Sequence, residues 1–307
     1  MSSTPSTPRP FAQRDLAAAL FVVIVWGLNF VAMKYALRYL TPFQLGAARY
    51  IFALLPLALL VRPPRMHWKW VAAFGLTQGV GQFGLLFVAL SIGMTAGLAS
   101  VLLQTHVFFT ALLGVLLLGE GIGRPLRLGL VLAAGGLVCF AMNYVVAAGA
   151  GVTTVGGFVL TLLAALLWAL SNIVTRKAQA ASQDFSALAY VVWASLAPIG
   201  PFIVLSLLFD PAASRWAWTQ APLSVWLSAA YLGWVASVAG YGLWTLLLKR
   251  HPANRIAPFS LAVPVVGLSA GMLALGETVT AWQWAGITLV VLALMAVMLG
   301  GRIARLR

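Results

Sequence analysis

Read from Leu16 to Gly300, the chain alternates apolar stretches of about 20 residues with short connections that hold most of its charge. A helix rises about 1.5 Å per residue, so each stretch is long enough to cross the ~30 Å apolar core of a bilayer. Ten are legible, at roughly 16–37, 41–61, 70–90, 95–118, 125–146, 153–175, 186–209, 222–247, 254–276 and 281–300. Backbone polar groups inside lipid must be satisfied within the segment, which makes these spans helices. The pattern predicts an all-α polytopic membrane protein with ten transmembrane helices and no soluble domain. The opening MSSTPSTPRP, with the residues up to 15, reads as a disordered cytosolic tail, and 301–307 as a short basic one. The first apolar run is too long for a signal-peptide core, and it reads as a retained span.

The chain is also written twice. Gly93 to Glu120 recurs, diverged, as Arg250 to Glu277, both copies closing on Gly-Glu. Leu20 to Ala36 returns as Leu162 to Ala178, aligning Trp26 with Trp168 and Asn29 with Asn172. Gly75 through Phe83-Gly84 matches Gly233 through Tyr241-Gly242. Two repeats follow, 16–146 and 153–300, each of five spans. Five is odd, so the second copy enters the membrane from the opposite side and the halves are inverted. Inverted repeats place a substrate site at their interface near the midplane and provide two related conformations, one open to each side.

Composition agrees with a membrane protein: 8% of residues are charged, 62% are hydrophobic and the mean hydropathy is +1.00, where soluble domains carry roughly a quarter charged residues. The net charge of +14 invites a nucleic-acid reading, but the distribution answers it. With the N-terminus inside, fifteen of the nineteen Lys and Arg fall in cytosolic segments, leaving Lys34, Arg38 and Arg215 outside and Arg49 within the second span. That is the positive-inside asymmetry, and it predicts a multi-pass protein of the cytoplasmic membrane with both termini cytosolic. The expected partners are the bilayer and a small molecule, not nucleic acid. Nothing in the sequence fixes an oligomeric state, and a monomer suffices. The one cysteine, Cys139, lies inside the fifth span, where it packs; no thiol metal site and no cofactor motif can be assembled.

Polar residues at lipid depth need partners or a purpose. In the third span Gln78 and Gln82 are one α-helical turn apart, and Gly75, Gly79, Gly81 and Gly84 let the backbone bend or approach closely. Two amides on one face offer donors and acceptors to a zwitterion, or serve as glue between helices. Gln104, Thr105 and His106 form a polar patch halfway along the fourth span, where His106 can bind a carboxylate, carry a proton or sit neutral against a neighbour. Ser237, Tyr241 and Trp244 share a face of the eighth span. With Phe83, Trp168 and Trp193 they offer aromatic surfaces from both halves. Pro258 and Pro264 predict a broken ninth span with carbonyls turned to a cavity. His67 and His251 read as solvated loop residues. Glu120, Glu277, Asn29 and Asn172 read as structural, and Arg49 needs a partner that the sequence does not name.

The five acids, Asp15, Glu120, Asp184, Asp210 and Glu277, all avoid the middle of a span. Ion-driven carriers commonly keep an intramembrane carboxylate, so a facilitator of a net-neutral solute fits better. An intramembrane enzyme needs paired carboxylates, a metal cluster or an activated nucleophile, none of which is visible.

Trp26-Gly27-Leu28-Asn29 in the first span, Arg49 early in the second and Gly119-Glu120 closing the fourth, with Trp168, Asn172, Pro264 and Gly276-Glu277 as second-repeat equivalents, resemble the EamA-type drug/metabolite transporters over nearly the whole chain. Val107 stands where that family has proline, and Ala169 where it has glycine. The ninth span, and not the fourth, therefore carries the proline reason to bend. Many aromatics with almost no buried charge look like the YddG-type exporters of aromatic amino acids. The resemblance implies an exporter of aromatic or hydrophobic amino acids by alternating access; an exporter of lipophilic cations or drugs is the alternative, though it favours a buried acid.

Overall fold

The computed structural model describes residues 12–146, 153–251 and 253–303. Among the described residues ten helices are long and apolar enough to cross a membrane: α1 (Gln13–Ala36), α2 (Pro42–Leu60), α3 (Trp68–Ser91), α4 (Ala96–Leu118), α5 (Arg124–Val145), α6 (Val155–Ala180), α7 (Ala187–Phe209), α8 (Leu223–Leu248), α9 (Pro258–Leu275) and α10 (Ala281–Met298). Their outward faces are apolar, with Leu59, Leu116, Leu273 and Val131 exposed as lipid would require.

Local chemistry sets where the helices begin and end. Thr41 forms a capping box with Gln44 ahead of Pro42, and Thr95, Thr154 and Ser186 each accept a backbone N–H as N-caps of α4, α6 and α7. Gly119 and Gly276 end α4 and α9 with φ of 68° and 66°, a left-handed turn that glycine adopts without strain.

Helix neighbours respect the duplication. α1 packs on α9 as α6 packs on α4; α3 lies on α6 as α8 lies on α1; α2 meets α8 as α7 meets α3; and α5 lies along α10. Exchanging each helix for the one five places on preserves this set, consistent with two inverted five-helix repeats. Close crossings depend on small residues: a Cβ added at Gly27 in α1 would lie 2.5 Å from the Cβ of Val266 in α9.

Four helices contain π-helical or 3-10 stretches, in corresponding pairs. α3 is π-helical over Gly75–Gly84 and α8 over Tyr231–Ala239. α4 tightens to a 3-10 turn at Leu103–Thr105, and Ala257–Leu261 does the same around Pro258 at the start of α9. The ninth span breaks as its prolines predict, with Pro264 inside the following helix. The fourth breaks as well, without a proline. Three further expectations are corrected. Asp15 belongs to α1 and is buried, not part of a tail. The last helix runs on to Ile303, past residue 301, while 1–11 and 304–307 lie outside the described residues. His251 is buried rather than solvated, its Nε2 2.8 Å from Asp15 Oδ2.

Candidate functional site

A cavity of about 470 Å³ lies between the halves, its wall built from residues of α1–α4, α6 and α8–α10. That volume is within the roughly 300–1,000 Å³ of small-molecule sites. Thr175, Leu248 and Met298 in its lining lie within the last two turns of α6, α8 and α10, so the cavity runs toward the end of the bundle where those helices finish. Arg176 pairs there with Glu120, and Arg250 and His251 with Asp15. Arg176 donates to the Glu120 carboxylate and holds its pKa below the usual carboxylate value. The opposite end is tied shut. Glu277 accepts the backbone N–H groups of Ala96 and Gly97 at 2.6 and 2.8 Å, and Lys34 donates to the carbonyls of Leu90 and Met94 at 2.6 and 2.7 Å.

Two aromatic walls face the cavity, each built from both repeats. Trp168 of α6 stacks on His106 of α4, ring centroids 3.7 Å apart. On the other side Trp26 of α1 lies 5.3 Å from Tyr241 and 5.4 Å from Trp244 of α8. The Trp26 indole N–H donates to the carbonyl of Ala236, at 3.0 Å, inside the π-helical stretch of α8.

The polar floor is centred on Arg49 of α2, which is 1% exposed. Its Nη2 donates to Ser237 Oγ at 3.0 Å and its Nη1 approaches Asn29 Oδ1 at 3.4 Å. Ser237 uses its own proton on Leu232 O, five residues back along the π-helix, which leaves its oxygen free to accept. The guanidinium carbon sits 3.7 Å from the centre of the Phe83 ring, a cation–π contact. Gln104 reaches across to donate to Ser260 O at 3.2 Å, so the broken start of α9 does turn a carbonyl toward this region. Asn172 donates to Thr110 Oγ1 at 3.1 Å.

Of the residues singled out from the sequence, Gln82, Phe83, Gln104, His106, Trp168, Tyr241 and Trp244 all line this cavity. Gln78 does not. It donates to the Tyr241 hydroxyl at 2.7 Å and lines a second, small space among α2, α3, α7 and α8. Phe83 and Tyr241 line both spaces, and Gln78 spends its amide N–H on the Tyr241 hydroxyl while Gln82, one turn on, reaches the cavity. Gly79 and Gly81 lie in that π stretch as contact points: a Cβ at either would meet Pro198 at 2.7 Å or Leu167 at 2.9 Å. Pro258 lies within the irregular turn of α9 and Pro264 in the helix just after it, and neither lines the cavity. Trp193 also lies elsewhere, donating to Val61 O and packing edge-on to Trp68.

Trp26, Asn29 and Arg49 were not anticipated as cavity residues. A signal for Trp26 was present, because it is the repeat partner of Trp168. Among the described residues no group of His, Cys, Asp and Glu is placed to hold a metal.

Both halves match one family profile, that of the EamA-like transporter family, at residues 14–142 and 155–299. A Salmonella typhimurium protein named "Probable amino-acid metabolite efflux pump" is 38% identical over 301 residues, covering 96% of this chain and 98% of its own. An Escherichia coli K12 protein of the same name is 38% identical over 284 residues, covering 92% and 94%. A crystal structure of an 18% identical protein superposes with a TM-score of 0.60 over 94% of this chain and 98% of that one, a likeness of fold alone. The chain therefore belongs to the EamA-like transporter family, a transporter of the membrane and not an enzyme.

Proposed function

We propose that this protein exports amino acids, preferentially aromatic or hydrophobic ones, across the cytoplasmic membrane by alternating access of its two inverted repeats, as a facilitator. The observation that carries this reading is the make-up of the cavity wall: indole, phenol and imidazole rings alternate with amides, and no carboxylate is among the lining residues. Aromatic walls suit a planar or aliphatic side chain. A wall without an acid suits neither an organic cation nor an ion-driven cycle that parks its proton on a buried carboxylate. Two efflux-pump relatives at 38% identity support export of small metabolites. With both termini cytosolic, the cavity described above faces the cytosol and the Glu277 and Lys34 contacts close the outer end.

The test is flux in proteoliposomes of the purified protein. Labelled phenylalanine and tryptophan should equilibrate along their own gradients, with no imposed pH or sodium gradient and little response to membrane potential, since a net-neutral solute moves no charge. Transport of organic cations in place of amino acids would select the drug-exporter reading. Accumulation against a gradient when a pH difference is imposed, lost in His106→Gln, would make the protein a proton-coupled antiporter instead.

A further inference from the structure

We infer that Arg49 is the receptor for the substrate's carboxylate, so that the cavity selects solutes carrying a free α-carboxylate over the corresponding amines and amides. The inference rests on the amino-acid reading above and extends it.

A guanidinium keeps its charge at any pH a cell meets and offers five N–H donors. Inside a bilayer such a charge ordinarily pairs with an acid. Arg49 has none. Asp15 is taken by Arg250 and His251, Glu120 by Arg176, and Glu277 by two backbone N–H groups. Asp210 accepts from Thr41 and Ser206, and Asp184 is an exposed connection residue. What surrounds Arg49 is neutral: an asparagine oxygen, a serine oxygen and the face of Phe83. These contacts hold the side chain in place without neutralising it, and its buried Nε has no partner at all.

The missing anion is explained if it arrives with the solute. Arg49 forms part of the cavity wall, and so does Gln82, whose buried Oε1 likewise lacks a donor. An α-amino acid supplies both complements at once: a carboxylate for Arg49 and ammonium N–H groups for the Gln82 carbonyl. Its side chain then lies among Trp26, Trp168 and Trp244. A purely structural Arg49, bracing α1, α2 and α8, accounts for the Asn29 and Ser237 contacts but leaves the unpaired charge and the vacant Nε unexplained.

The experiment compares four competitors of labelled phenylalanine flux in wild-type proteoliposomes: phenylalanine, phenylalaninamide, phenethylamine and 3-phenylpropionate. Phenylalanine should compete at least tenfold better than the amide and the amine, with 3-phenylpropionate between. Arg49→Met, of similar length and no charge, should lower the apparent affinity for phenylalanine at least tenfold and erase its advantage over the amide; Arg49→Lys should recover part of both. If Arg49→Met does not yield a folded protein, the wild-type series decides alone. Equal competition by amide and amino acid overturns the inference and leaves amino-acid export standing. Vesicles that move phenethylamine but no amino acid overturn the export reading, and the inference falls with it.

Discussion

The Gly-Glu pair that closes α4 and α9 allows one sequence feature to be weighed in two environments. After each left-handed glycine the glutamate N–H returns to a carbonyl six residues back, Glu120 to Gly114 and Glu277 to Gly271, both at 3.2 Å. The carboxylates then diverge. Glu277 takes the N–H groups of Ala96, which is fully buried, and Gly97, at the N-terminus of α4 where the helix dipole adds to the attraction. Hydrogen bonds to a charged acceptor contribute about 1.5–3 kcal/mol each, and stranding a buried donor forfeits most of that. Glu277→Ala should therefore cost about 3 kcal/mol. Glu277→Gln, which keeps one acceptor and turns an amide N–H toward the other donor, should cost about half as much. Glu120 sits exposed on the opposite end with Arg176, and Glu120→Ala should have a small effect. Reversible unfolding in mixed micelles, followed by tryptophan fluorescence, measures all three variants. A Glu277→Ala protein within ~0.5 kcal/mol of wild type, the range of ordinary surface changes, or a larger loss from Glu120→Ala, refutes the reasoning.

Four further outcomes are expected. Gly233→Ala places a Cβ 2.6–2.8 Å from Phe52 Cβ, Arg49 O and Ala53 N; two of these are backbone, so α2 and α8 must separate, costing about 1–3 kcal/mol of stability in the same micelle assay. Trp168→Ala removes the ring that stacks on His106 and should lower phenylalanine flux several-fold in proteoliposomes without lowering the folded yield, whereas Cys139→Ser should leave both unchanged. Because Arg176 depresses the Glu120 pKa below its ordinary value of 4.5, the pair's contribution is complete above that value and is lost as pH falls through the depressed one. The stability difference between wild type and Glu120→Gln should accordingly be flat from pH 6 to 8 and shrink only in stronger acid. Finally, a cysteine placed at Arg65 in a Cys139→Ser background should be shielded from impermeant thiol reagents added outside intact cells, as a cytosolic connection requires; external labelling would overturn the assigned orientation.

The ten spans could be read in advance because lipid imposes a length and a polarity on every crossing segment, and both are one-dimensional properties. Chain duplication carried the reading further, matching Trp26 with Trp168 and both Gly-Glu turns before any geometry was known. The site was only half legible. Seven residues picked for polarity or aromaticity at mid-span line the cavity, but Gln78, one turn from Gln82, gives its amide N–H to Tyr241 and lines the neighbouring space, a partner that no spacing reveals. Trp193 has the same chemistry as Trp168 and faces away, which no count of aromatics reveals. Arg49 illustrates the deeper limit. Its sequence neighbours are apolar, and the groups that hold it come from Asn29, Phe83 and Ser237 on three other helices. His251 and Asp15 likewise meet across 236 positions of chain.

The left-handed glycines bear on how each half can sit in a membrane. Gly119 and Gly276 adopt φ values two degrees apart, each followed by a glutamate folded back in the same way, yet an odd count of spans per half puts the two turns on opposite sides of the membrane. The fold of a half is therefore indifferent to up and down. The same turn and the same folded-back glutamate serve at either end of the bundle, so nothing in that local geometry distinguishes one membrane side from the other. What orients each half is instead the placement of lysines and arginines in the connections, outside the packed core.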